Sequence, residues 1–407
     1  MQFKDLKLNK PILKAIAAKN YTSATPIQSL TIPLVLDKKD VIASAQTGTG
    51  KTAAFALPIL QLLFDKQDAG KKGKRVKALI ISPTRELAIQ IEENFKTYSK
   101  FTNLRTTVVY GGTSIEPQKD VLKKGIDILV ATPGRLLDLH KQDCLNLDFI
   151  EILVLDEADL MLDMGFIDDV RKIERLCPSE KQILLFSATM PSKVIELANT
   201  ILKNPETVDA TPTTSAAKNV NQQLFYVHKQ HKMELCLHLL RNTIKGNILI
   251  FRRTKMGIAK LEKMLKGNGY KVDSIHGDKS QNDREKALNN FKEGNINILI
   301  ATDVAARGID IDNLDAVINF DIPNISETYI HRIGRTGRAG NTGNAYSFCS
   351  ADEKAYIKDI QQLINTAIPV MDAHPYVLDP KAKREVHRTP GKSKHKSGRK
   401  SAASKKN

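Results

Sequence analysis

Three carboxylates lie together at the end of a short apolar run, where Asp156-Glu157-Ala158-Asp159 follows residues 152–155. An apolar run of this length bounded by charges predicts a buried parallel strand. Open α/β sheets bind ligands at the carboxyl ends of such strands, so these acids stand where a ligand is expected. A solvated turn between a strand and a helix would show the same residues, so their meaning depends on residues elsewhere in the chain.

A glycine-rich segment upstream predicts a phosphate-binding P-loop, because it follows an apolar strand pattern and precedes a helix pattern. Glycines let the backbone approach phosphate oxygens, which the loop N–H groups and the helix N-terminus can bind. Lys51 is expected to reach the β- and γ-phosphates of ATP, and the Thr52 hydroxyl is expected to bind Mg²⁺. The pattern usually opens with Gly, whereas this chain has Ala45. The predicted nucleotide-binding residues here are Ala45, Gln46, Thr47, Gly48, Thr49, Gly50, Lys51 and Thr52.

The acidic strand end then acquires a chemical role beside a bound ATP. In P-loop proteins a carboxylate from another strand holds the Mg²⁺ shell, and Asp156 is the candidate. Glu157 is expected to position or deprotonate the attacking water. Gln28, which follows Thr25-Pro26-Ile27, could pair with adenine through its amide donor and acceptor and so select ATP over GTP. An ordinary turn glutamine after a proline is the alternative for Gln28.

A second group of cations lies far along the chain, in the segment His331-Arg332-Ile333-Gly334-Arg335-Thr336-Gly337-Arg338. Arg335 and Arg338 are three residues apart and would share one face of a helix. An arginine that reaches the γ-phosphate from another domain accelerates hydrolysis by roughly 10³–10⁵ in comparable enzymes. Taken alone, an Arg- and Gly-rich stretch is more often a solvated or RNA-facing loop.

Strand patterns alternate with helix patterns from residue 40 onward, which predicts βα units and parallel sheets. The first six predicted strands are Val41–Ala45, Ala78–Ser82, Thr107–Tyr110, Ile126–Thr132, Ile152–Asp156 and Ile183–Ser187. The alternation stops at Asn204-Pro205 and a Thr/Pro/Ser-rich stretch at 211–215, which are typical of turns and linkers. It then resumes with predicted strands Leu224–His228, Asn247–Arg252, Lys271–His276, Ile296–Thr302, Ala316–Phe320 and Ala345–Cys349. We therefore predict an α/β fold with two tandem domains, at 1–206 and 220–378, joined by a linker at 207–219.

The C-terminal residues 379–407 are predicted to form a disordered basic tail. Residues 380–407 hold 11 Lys or Arg against one acid, Glu385, and so account for +10 of the net charge of +17. No large apolar residue follows Val386, so the tail cannot bury a core. Such tails usually bind nucleic acid through phosphates without reading sequence. A tail that only aids solubility is the alternative.

The composition is that of an ordinary globular protein, with 41% apolar and 26% charged residues. No run approaches the roughly 18 apolar residues of a membrane span, and the N-terminus lacks the layout of a signal peptide. The four cysteines form no C-x-x-C pair, so neither a zinc site nor a redox motif is expected. We expect these cysteines to be buried thiols in a reducing cytoplasm.

These residues together resemble the DEAD-box RNA helicases of helicase superfamily 2, whose motifs occur here in family order over residues 3 to about 345. The wording of the P-loop segment is most similar to the bacterial RhlE-type group. The resemblance implies two RecA-like domains, each a parallel sheet with helices on both faces. The motifs are Gln28, the P-loop, Pro83–Ala88, Gly111-Gly112, Thr132–Arg135, Asp156–Asp159, Ser187–Thr189, Gln281–Arg284, Ala301–Asp303 with Arg307–Asp310, and His331–Arg338.

The resemblance also implies roles for individual residues. Phe3 would stack on adenine within an adenine-recognition segment at 1–29, although by itself it resembles an N-terminal core residue. Asp310 would bind the ribose of ATP, and His331 would help organise the water and the acids. Asp159 would form hydrogen bonds with Ser187 and Thr189 and so link the ATP site to the RNA-binding site. The implied RNA path is lined by Arg85, Gly112, Thr132, Arg135, Arg284 and Thr302.

The expected function is that of an ATP-dependent RNA helicase which opens short duplexes or remodels RNA–protein complexes through domain closure. Arg and Thr side chains and glycine N–H groups suit phosphates rather than bases, so the RNA contacts are expected to be independent of sequence. Arg252-Arg253 could add a phosphate contact or only surface charge. An ATP-switched clamp or annealing scaffold is the alternative function. The expected partners are RNA and ribosome-assembly or RNA-decay complexes, in the cytoplasm and with no membrane.

Overall fold

The computed structural model describes residues 1–45, 48–66, 75–210, 220–306, 311, 314–337 and 342–378. These residues form two α/β units that follow one another along the chain. The predicted tail at 379–407 lies outside the described residues, as do 211–219 of the predicted linker. No helix among the described residues is long and apolar enough to cross a membrane.

The first unit contains seven parallel strands in the order β3-β4-β2-β5-β6-β1-β7. The central strands consist almost entirely of Ile, Leu, Val and Ala and are buried on both faces, as expected for a parallel sheet covered by helices. The strands are β1 Val41–Ser44, β2 Ala78–Ile81, β3 Thr106–Val109, β4 Ile128–Ala131, β5 Ile152–Leu155, β6 Gln182–Ser187 and β7 Glu206–Asp209.

Helices cover both faces of this sheet, and two hydrophobic cores lie between the sheet and the two helix layers. A short 3₁₀ helix at Phe3–Leu6 precedes them. The helices are α1 Lys10–Ala17, α2 Pro26–Leu36, α3 Lys51–Asp65, α4 Arg85–Tyr98, α5 Glu116–Lys123, α6 Pro133–Lys141, α7 Ala158–Asp163, α8 Ile167–Leu176 and α9 Ser192–Ile201.

The second unit repeats the same architecture with six parallel strands in the order β10-β11-β9-β12-β13-β8. Its strands are β8 Val220–Tyr226, β9 Ile248–Phe251, β10 Val272–Ile275, β11 Ile298–Ala301, β12 Ala316–Asn319 and β13 Gly343–Cys349. Its helices are α10 Lys232–Asn242, α11 Lys255–Gly267, α12 Gln281–Lys292, α13 Asp303–Ala306, α14 Ser326–Ile333 and α15 Lys354–Ile364.

The twelve strands predicted from the sequence are all present, so the predicted fold class is confirmed. One further strand, β7, pairs with β1 through Thr207, Val208 and Asp209. The first sheet therefore extends three residues beyond the boundary predicted at 206. Only Val208 of β7 is buried, so this edge strand lacks the apolar run that marks the central strands.

Candidate nucleotide and RNA site

The predicted P-loop lies at the carboxyl end of β1 and leads directly into α3. Gly48 and Gly50 adopt the left-handed region, with φ of 81° and 92°, a conformation that favours glycine because it lacks Cβ. Gly50 caps α3, and Lys51 and Thr52 are its first residues. The N-terminus of a 15-residue helix therefore faces the loop and can bind phosphate oxygens. Gln46 and Thr47 lie outside the described residues.

The Gln28 amide is tied to this loop. Its Nε2 donates to the Gly50 carbonyl at 3.1 Å, and its Oε1 accepts from the backbone N–H of Thr25 at 3.0 Å. A Cβ at position 50 would lie 2.3 Å from Nε2, so this approach requires glycine. An amide has two donors and two acceptor lone pairs, and therefore one of each is left for a base. That remainder matches the N6 donor and N7 acceptor of adenine.

Lys51 and Glu157 form a buried ion pair, with 2.6 Å between Nζ and Oε1. Burial alone would lower the pKa of Lys51. The carboxylates of Glu157, Asp156 and Asp159 outweigh burial, and the pKa of Lys51 is raised. The side chain predicted to reach the phosphates and the side chain predicted to act on the attacking water are thus already in contact.

Asp156 follows β5 and is only 3% exposed. Burial raises its pKa to about 7, although the charge of Lys51 acts in the opposite direction. Its Oδ1 is buried and has no hydrogen-bond partner among the described residues. A buried carboxylate oxygen without a partner is costly unless a ligand satisfies it. Mg²⁺ prefers oxygen ligands, so the Asp156 carboxylate and the Thr52 hydroxyl, at the start of the helix that follows the P-loop, fit a magnesium ion.

Glu157 adopts a left-handed backbone conformation, with φ 55° and ψ 54°, although it is not glycine. Such a conformation costs on the order of 1–3 kcal/mol and tends to occur at functional sites. Glu157 is the N-cap residue of α7, the helix that carries Asp159, and its side chain pairs with Lys51. The strained residue is therefore the one predicted to position or deprotonate the attacking water.

Asp159, Ser187 and Thr189 lie together, as the sequence predicted. Thr189 donates to Asp159 Oδ2 from its Oγ1 at 2.8 Å and from its backbone N–H at 3.0 Å. Ser187 Oγ accepts from the Asp159 backbone N–H at 3.2 Å, and donates to the Thr189 carbonyl at 2.6 Å. These bonds connect α7, which follows the acidic strand end, to the end of β6.

His331 in α14 of the second unit lies close enough to affect Asp159. Burial alone would raise the pKa of Asp159, but the charges of His331 and Lys51 and the hydrogen bonds of Thr189 and Ser187 hold the pKa below its usual range. Arg335, just after α14, is buried with 6% of its surface exposed. Arg338 and Asp310 lie outside the described residues. The charge of His331 in the second unit thus acts on an acid of the first.

A second contact between the units joins α4 to α12. Arg284 Nη2 lies 2.9 Å from Glu86 Oε1. Gln281 accepts from Arg85 Nη1 at 3.3 Å and donates to Glu86 at 3.4 Å. The Arg85 guanidinium also occupies the space beside Gly112, where a Cβ would lie 2.0 Å from its Nη2. Three residues of the predicted RNA path, Arg85, Gly112 and Arg284, are therefore brought together across the two units.

The other predicted RNA residues lie at the carboxyl ends of strands. Thr132 follows β4, and Thr302 follows β11 and accepts from the Ala305 N–H at 3.4 Å. Arg135 in α6 donates to the Thr113 carbonyl at 2.8 Å, and its Nη1 has no partner among the described residues. Phe3 is 4% exposed and packs in the hydrophobic core, so its predicted stacking on adenine stays a prediction.

Three polar residues with structural roles near the site, Glu86, Gln281 and Arg332, were not predicted as site residues. Glu86 and Gln281 form part of the contact between the units. The only sequence signal for this role is that Glu86 follows Arg85 and that Gln281 lies three residues before Arg284. Arg332 is 2% exposed and binds Asp303 through two hydrogen bonds of 2.6 and 2.8 Å. This buried pair links α14 to the first residue of α13, and arginine suits such buried pairs because its guanidinium binds a carboxylate through two parallel hydrogen bonds.

Arg252 and Arg253 are engaged within the second unit. Arg252 Nε lies 3.1 Å from Asp321 Oδ2, and its guanidinium covers the Phe320 ring at 4.1 Å. Arg253 donates to the Ile322 carbonyl at 2.7 Å. These bonds account for both arginines through packing inside the unit and do not require RNA.

Two parallel sheets in tandem, a P-loop with an acidic strand end and cations from the second unit define a P-loop ATPase with two RecA-like domains. Comparison with known proteins specifies the family. The DEAD/DEAH box helicase family model matches residues 25–198, and the helicase conserved C-terminal domain model matches residues 231–340. Together these models cover more than half of the chain. The protein therefore belongs to the DEAD-box family of ATP-dependent RNA helicases.

Bacterial relatives and solved structures agree with this assignment. The chain is 44% identical to the DEAD-box ATP-dependent RNA helicase CshA of Streptococcus pneumoniae over 89% of this chain and 68% of that protein. It is 40% identical to the ATP-dependent RNA helicase RhlB of Shewanella frigidimarina over 98% of this chain and 93% of that protein. ATP and RNA are accordingly the ligands of the family to which the chain belongs.

Among solved structures, the chain resembles Saccharomyces cerevisiae Dbp5 bound to RNA and ADP BeF3, with a TM-score of 0.81, 32% identity and coverage of 91% of this chain and 95% of that chain. A DEAD box protein from Methanococcus jannaschii is 40% identical but gives a TM-score of 0.52, over 91% of this chain and 99% of that chain. The prediction of tandem RecA-like domains is confirmed by these likenesses.

Proposed function

We propose that this protein hydrolyses ATP in the cleft between its two units and uses the closure of that cleft to open short RNA duplexes or to remodel RNA–protein complexes. The observation that carries the proposal is the contact between the two units, where Arg284 of the second unit lies 2.9 Å from Glu86 of the first. An ATPase site assembled from two units can be completed only when they close, so hydrolysis and closure are coupled.

In this proposal the first unit binds ATP and holds the attacking water. The P-loop N–H groups and Lys51 bind the phosphates, and Gln28 binds adenine. Glu157 orients the water and accepts its proton, while Phe3 contacts the base. Asp310, from the second unit, is proposed to contact the ribose. Asp156 and Thr52 would hold Mg²⁺, which supplies charge neutralisation of the β- and γ-phosphates when bound. These assignments are supported by the buried, strained and orphaned groups at the end of β5.

The second unit completes the site on closure. Arg335 and Arg338 are proposed to contact the γ-phosphate, with His331 organising the acids. Because closure also brings Arg85 and Gly112 to Arg284, the RNA path forms at the same time as the ATPase site, with Thr132, Arg135 and Thr302 along it. The two ligands should therefore bind cooperatively, and the coupling must be reciprocal.

The placement of the two units supports this model. The TM-score of 0.81 to a relative with RNA and a nucleotide analogue exceeds the 0.52 to a relative of higher sequence identity. Since each sheet has the same fold throughout the family, a lower score at higher identity points to a different placement of the units. The arrangement of the two units is therefore more similar to that of the relative bound to RNA and ADP BeF3.

We also propose the finer features that the sequence suggested. The domains would span 1–206 and 220–378, with β7 added to the first, and 1–29 would form the adenine-recognition segment. The tail at 379–407 would bind RNA through phosphates. The protein would act in the bacterial cytoplasm, in ribosome-assembly or RNA-decay complexes. The RhlE-type subgroup stays a prediction, since the relatives named above are CshA and RhlB.

A strand-displacement assay tests the central claim. With ATP, the protein should release one strand from a short RNA duplex that has a single-stranded overhang, and Glu157→Gln should bind the duplex without releasing the strand. Release without hydrolysis, or acceleration of annealing only, would favour the ATP-switched clamp. Annealing should be measured with the same strands in the same mixture, so that both activities are compared directly.

A further inference from the structure

The amino ends of the strands of the first sheet form the edge opposite to the P-loop. A concave surface of about 690 Å³ lies there, between the starts of β1, β5, β6 and β7. Lys38, Lys39 and Lys203 border it and are exposed, as is Lys66 at the end of α3. Residues 1–210 carry 29 Lys or Arg against 26 Asp or Glu, so this concentration of lysines does not reflect a generally basic unit.

An exposed aromatic ring lies at the same edge of the sheet, two residues before Glu151 of the concave surface. Phe149, in the connection that precedes β5, is 38% exposed. The guanidinium of Arg75, which precedes β2, covers its ring at 4.1 Å. Exposed rings interleaved with cations are the chemistry that binds single-stranded nucleic acid, because bases stack on the ring and phosphates contact the cations.

The acidic residues at this edge leave its lysines able to bind phosphate. The buried Asp40 carboxylate accepts the backbone N–H groups of Ile183 and Lys203, at 2.8 and 2.7 Å. Glu151 pairs with Lys66, and Glu180 pairs with Lys203 at 3.0 Å. Ion pairs between such exposed side chains are weak and can be exchanged for phosphate.

Lys38 and Lys39 are cations at this edge without an ion pair among the residues that the structure describes. They stand at the turn between α2 and β1, directly before the strand that carries the P-loop at its other end. An anion bound there would therefore contact the same strand as ATP but at the opposite edge.

We propose that this surface, the amino-edge patch (Lys38, Lys39, Lys66, Arg75, Phe149 and Lys203), binds the backbone and bases of an RNA segment that flanks the one in the cleft. The patch crosses the edge from β7 to β5 and on to β2, which is four strand spacings or roughly 19 Å. Charges spread over that distance match successive phosphates of a chain better than they match a small anion. The ring of Phe149 distinguishes RNA from an acidic peptide, which would need only the lysines.

The geometry allows one RNA to reach both edges. Strands of four to six residues separate the two edges by roughly 13–20 Å, so a segment leaving the cleft can continue around the unit. This inference adds to the proposed function and rests on it, because the flanking segment is held near the cleft by RNA bound there. The patch would then favour substrates with structured or extended flanks.

The test compares a triple variant, Lys38→Ala/Lys39→Ala/Lys203→Ala, with a control of three exposed lysines from α8, α9 and α11, Lys172→Ala/Lys193→Ala/Lys263→Ala. The full chain is titrated with a short oligouridine that fills only the cleft and with one several times longer. Each lost phosphate contact on a single strand should reduce the slope of log K against log salt by about 0.7. The triple variant should therefore lose about 2 units of slope with the long probe and none with the short one.

Phe149 provides a second and independent measurement. Phe149→Ala should weaken binding of the long oligouridine about fivefold or more, since stacking is lost, whereas Phe149→Tyr should retain it. Thermal unfolding of both variants shows whether either has lost its fold. A 4-thiouridine placed beyond the cleft segment should crosslink to the patch peptides in the wild type.

Three results would overturn the inference. The triple variant could show the same salt slope as the control with the long probe, or Phe149→Ala could bind it as tightly as Phe149→Tyr. Polyglutamate could bind with full dependence on Lys38 and Lys39 while RNA does not, which would assign the patch to an acidic partner. If the wild type showed no ATPase stimulation by the short probe, the proposed function itself would fail, which is a separate outcome.

Discussion

The ammonium group of Lys51 and the carboxylate of Glu157 lie 2.6 Å apart in a buried ion pair. Both side chains are proposed to act on ATP, one on its phosphates and the other on the attacking water. A γ-phosphate reached by Lys51 would take the place of Glu157 as its partner. Nucleotide binding would thereby release the carboxylate that hydrolysis requires.

Glu157→Gln should lower the turnover of ATP by on the order of 10²–10⁴, since an amide cannot accept the proton of water. ATP and RNA should still bind, and the complex should dissociate slowly because hydrolysis no longer reopens the cleft. Glu151→Gln, the same change at the other end of β5, is the control and should keep full activity. Normal turnover by Glu157→Gln would remove this residue from the catalytic role.

Thr189→Val should uncouple ATP hydrolysis from strand release, because it removes the 2.8 Å hydrogen bond to Asp159 with little change in shape. A hydrogen bond to a charged group contributes roughly 1.5–3 kcal/mol, so some loss of stability is also expected. ATPase and strand displacement should be measured on the same preparation. Thr200→Val, which removes an exposed hydroxyl bond in α9, serves as the control. Equal losses in both activities would contradict a linking role.

The Glu86–Arg284 pair should contribute to the cooperativity between ATP and RNA. A double-mutant cycle with Glu86→Gln and Arg284→Ala should give a coupling of roughly 0.5–3 kcal/mol in that cooperativity, as expected for residues in contact. The quantity to measure is RNA affinity with and without a non-hydrolysable ATP analogue. The exposed pair Glu116–Lys119 lies within the first unit and should give no coupling. Additive effects of the two substitutions would show that this contact does not report closure.

Arg338→Ala should reduce RNA-stimulated ATPase activity by on the order of 10³–10⁵, as expected for loss of an arginine finger. ATP binding to the first unit should change little, since the P-loop is intact. Arg171→Ala, a surface arginine of α8 paired with Glu196, is the comparison. Full RNA-stimulated activity in Arg338→Ala would exclude the model of cleft closure onto the γ-phosphate.

Deletion of residues 380–407 should weaken RNA binding and flatten its dependence on salt, because the deleted segment contains 11 cationic residues. The affinity for ATP should stay the same. Titration of RNA at several salt concentrations, with and without the tail, measures the change in slope. An unchanged slope would mean that the tail serves solubility alone.

The strands and most of the ATP site could be predicted because their signals are local. Short runs of Ile, Leu and Val such as 152–155 mark buried parallel strands, and glycines before Lys51 mark a phosphate loop. Even the contact between Asp159 and Thr189 was accessible, through the family resemblance. The edge strand β7 was missed because its exposed residues show no apolar run.

Contacts between the two units could not be predicted from such local signals. Glu86 and Arg284 are separated by almost two hundred residues, and neither has a local pattern that names the other. The left-handed conformation of Glu157 could not be predicted either, because glutamate, unlike glycine or asparagine, is not a residue type that favours positive φ. The uses of Arg252 and Arg253 were left open because charge alone does not distinguish a buried pair from a phosphate contact.

The hydrogen bond between the Gln28 amide and the Gly50 carbonyl couples recognition of the base to binding of the phosphates. A nucleotide with the wrong base can still place its phosphates in the loop, but it would disturb the amide that helps to hold Gly50 in its left-handed conformation. Selection for adenine would then appear less in how tightly a nucleotide binds than in how often the bound nucleotide is hydrolysed. GTP would behave as an inhibitor that occupies the site and seldom reacts.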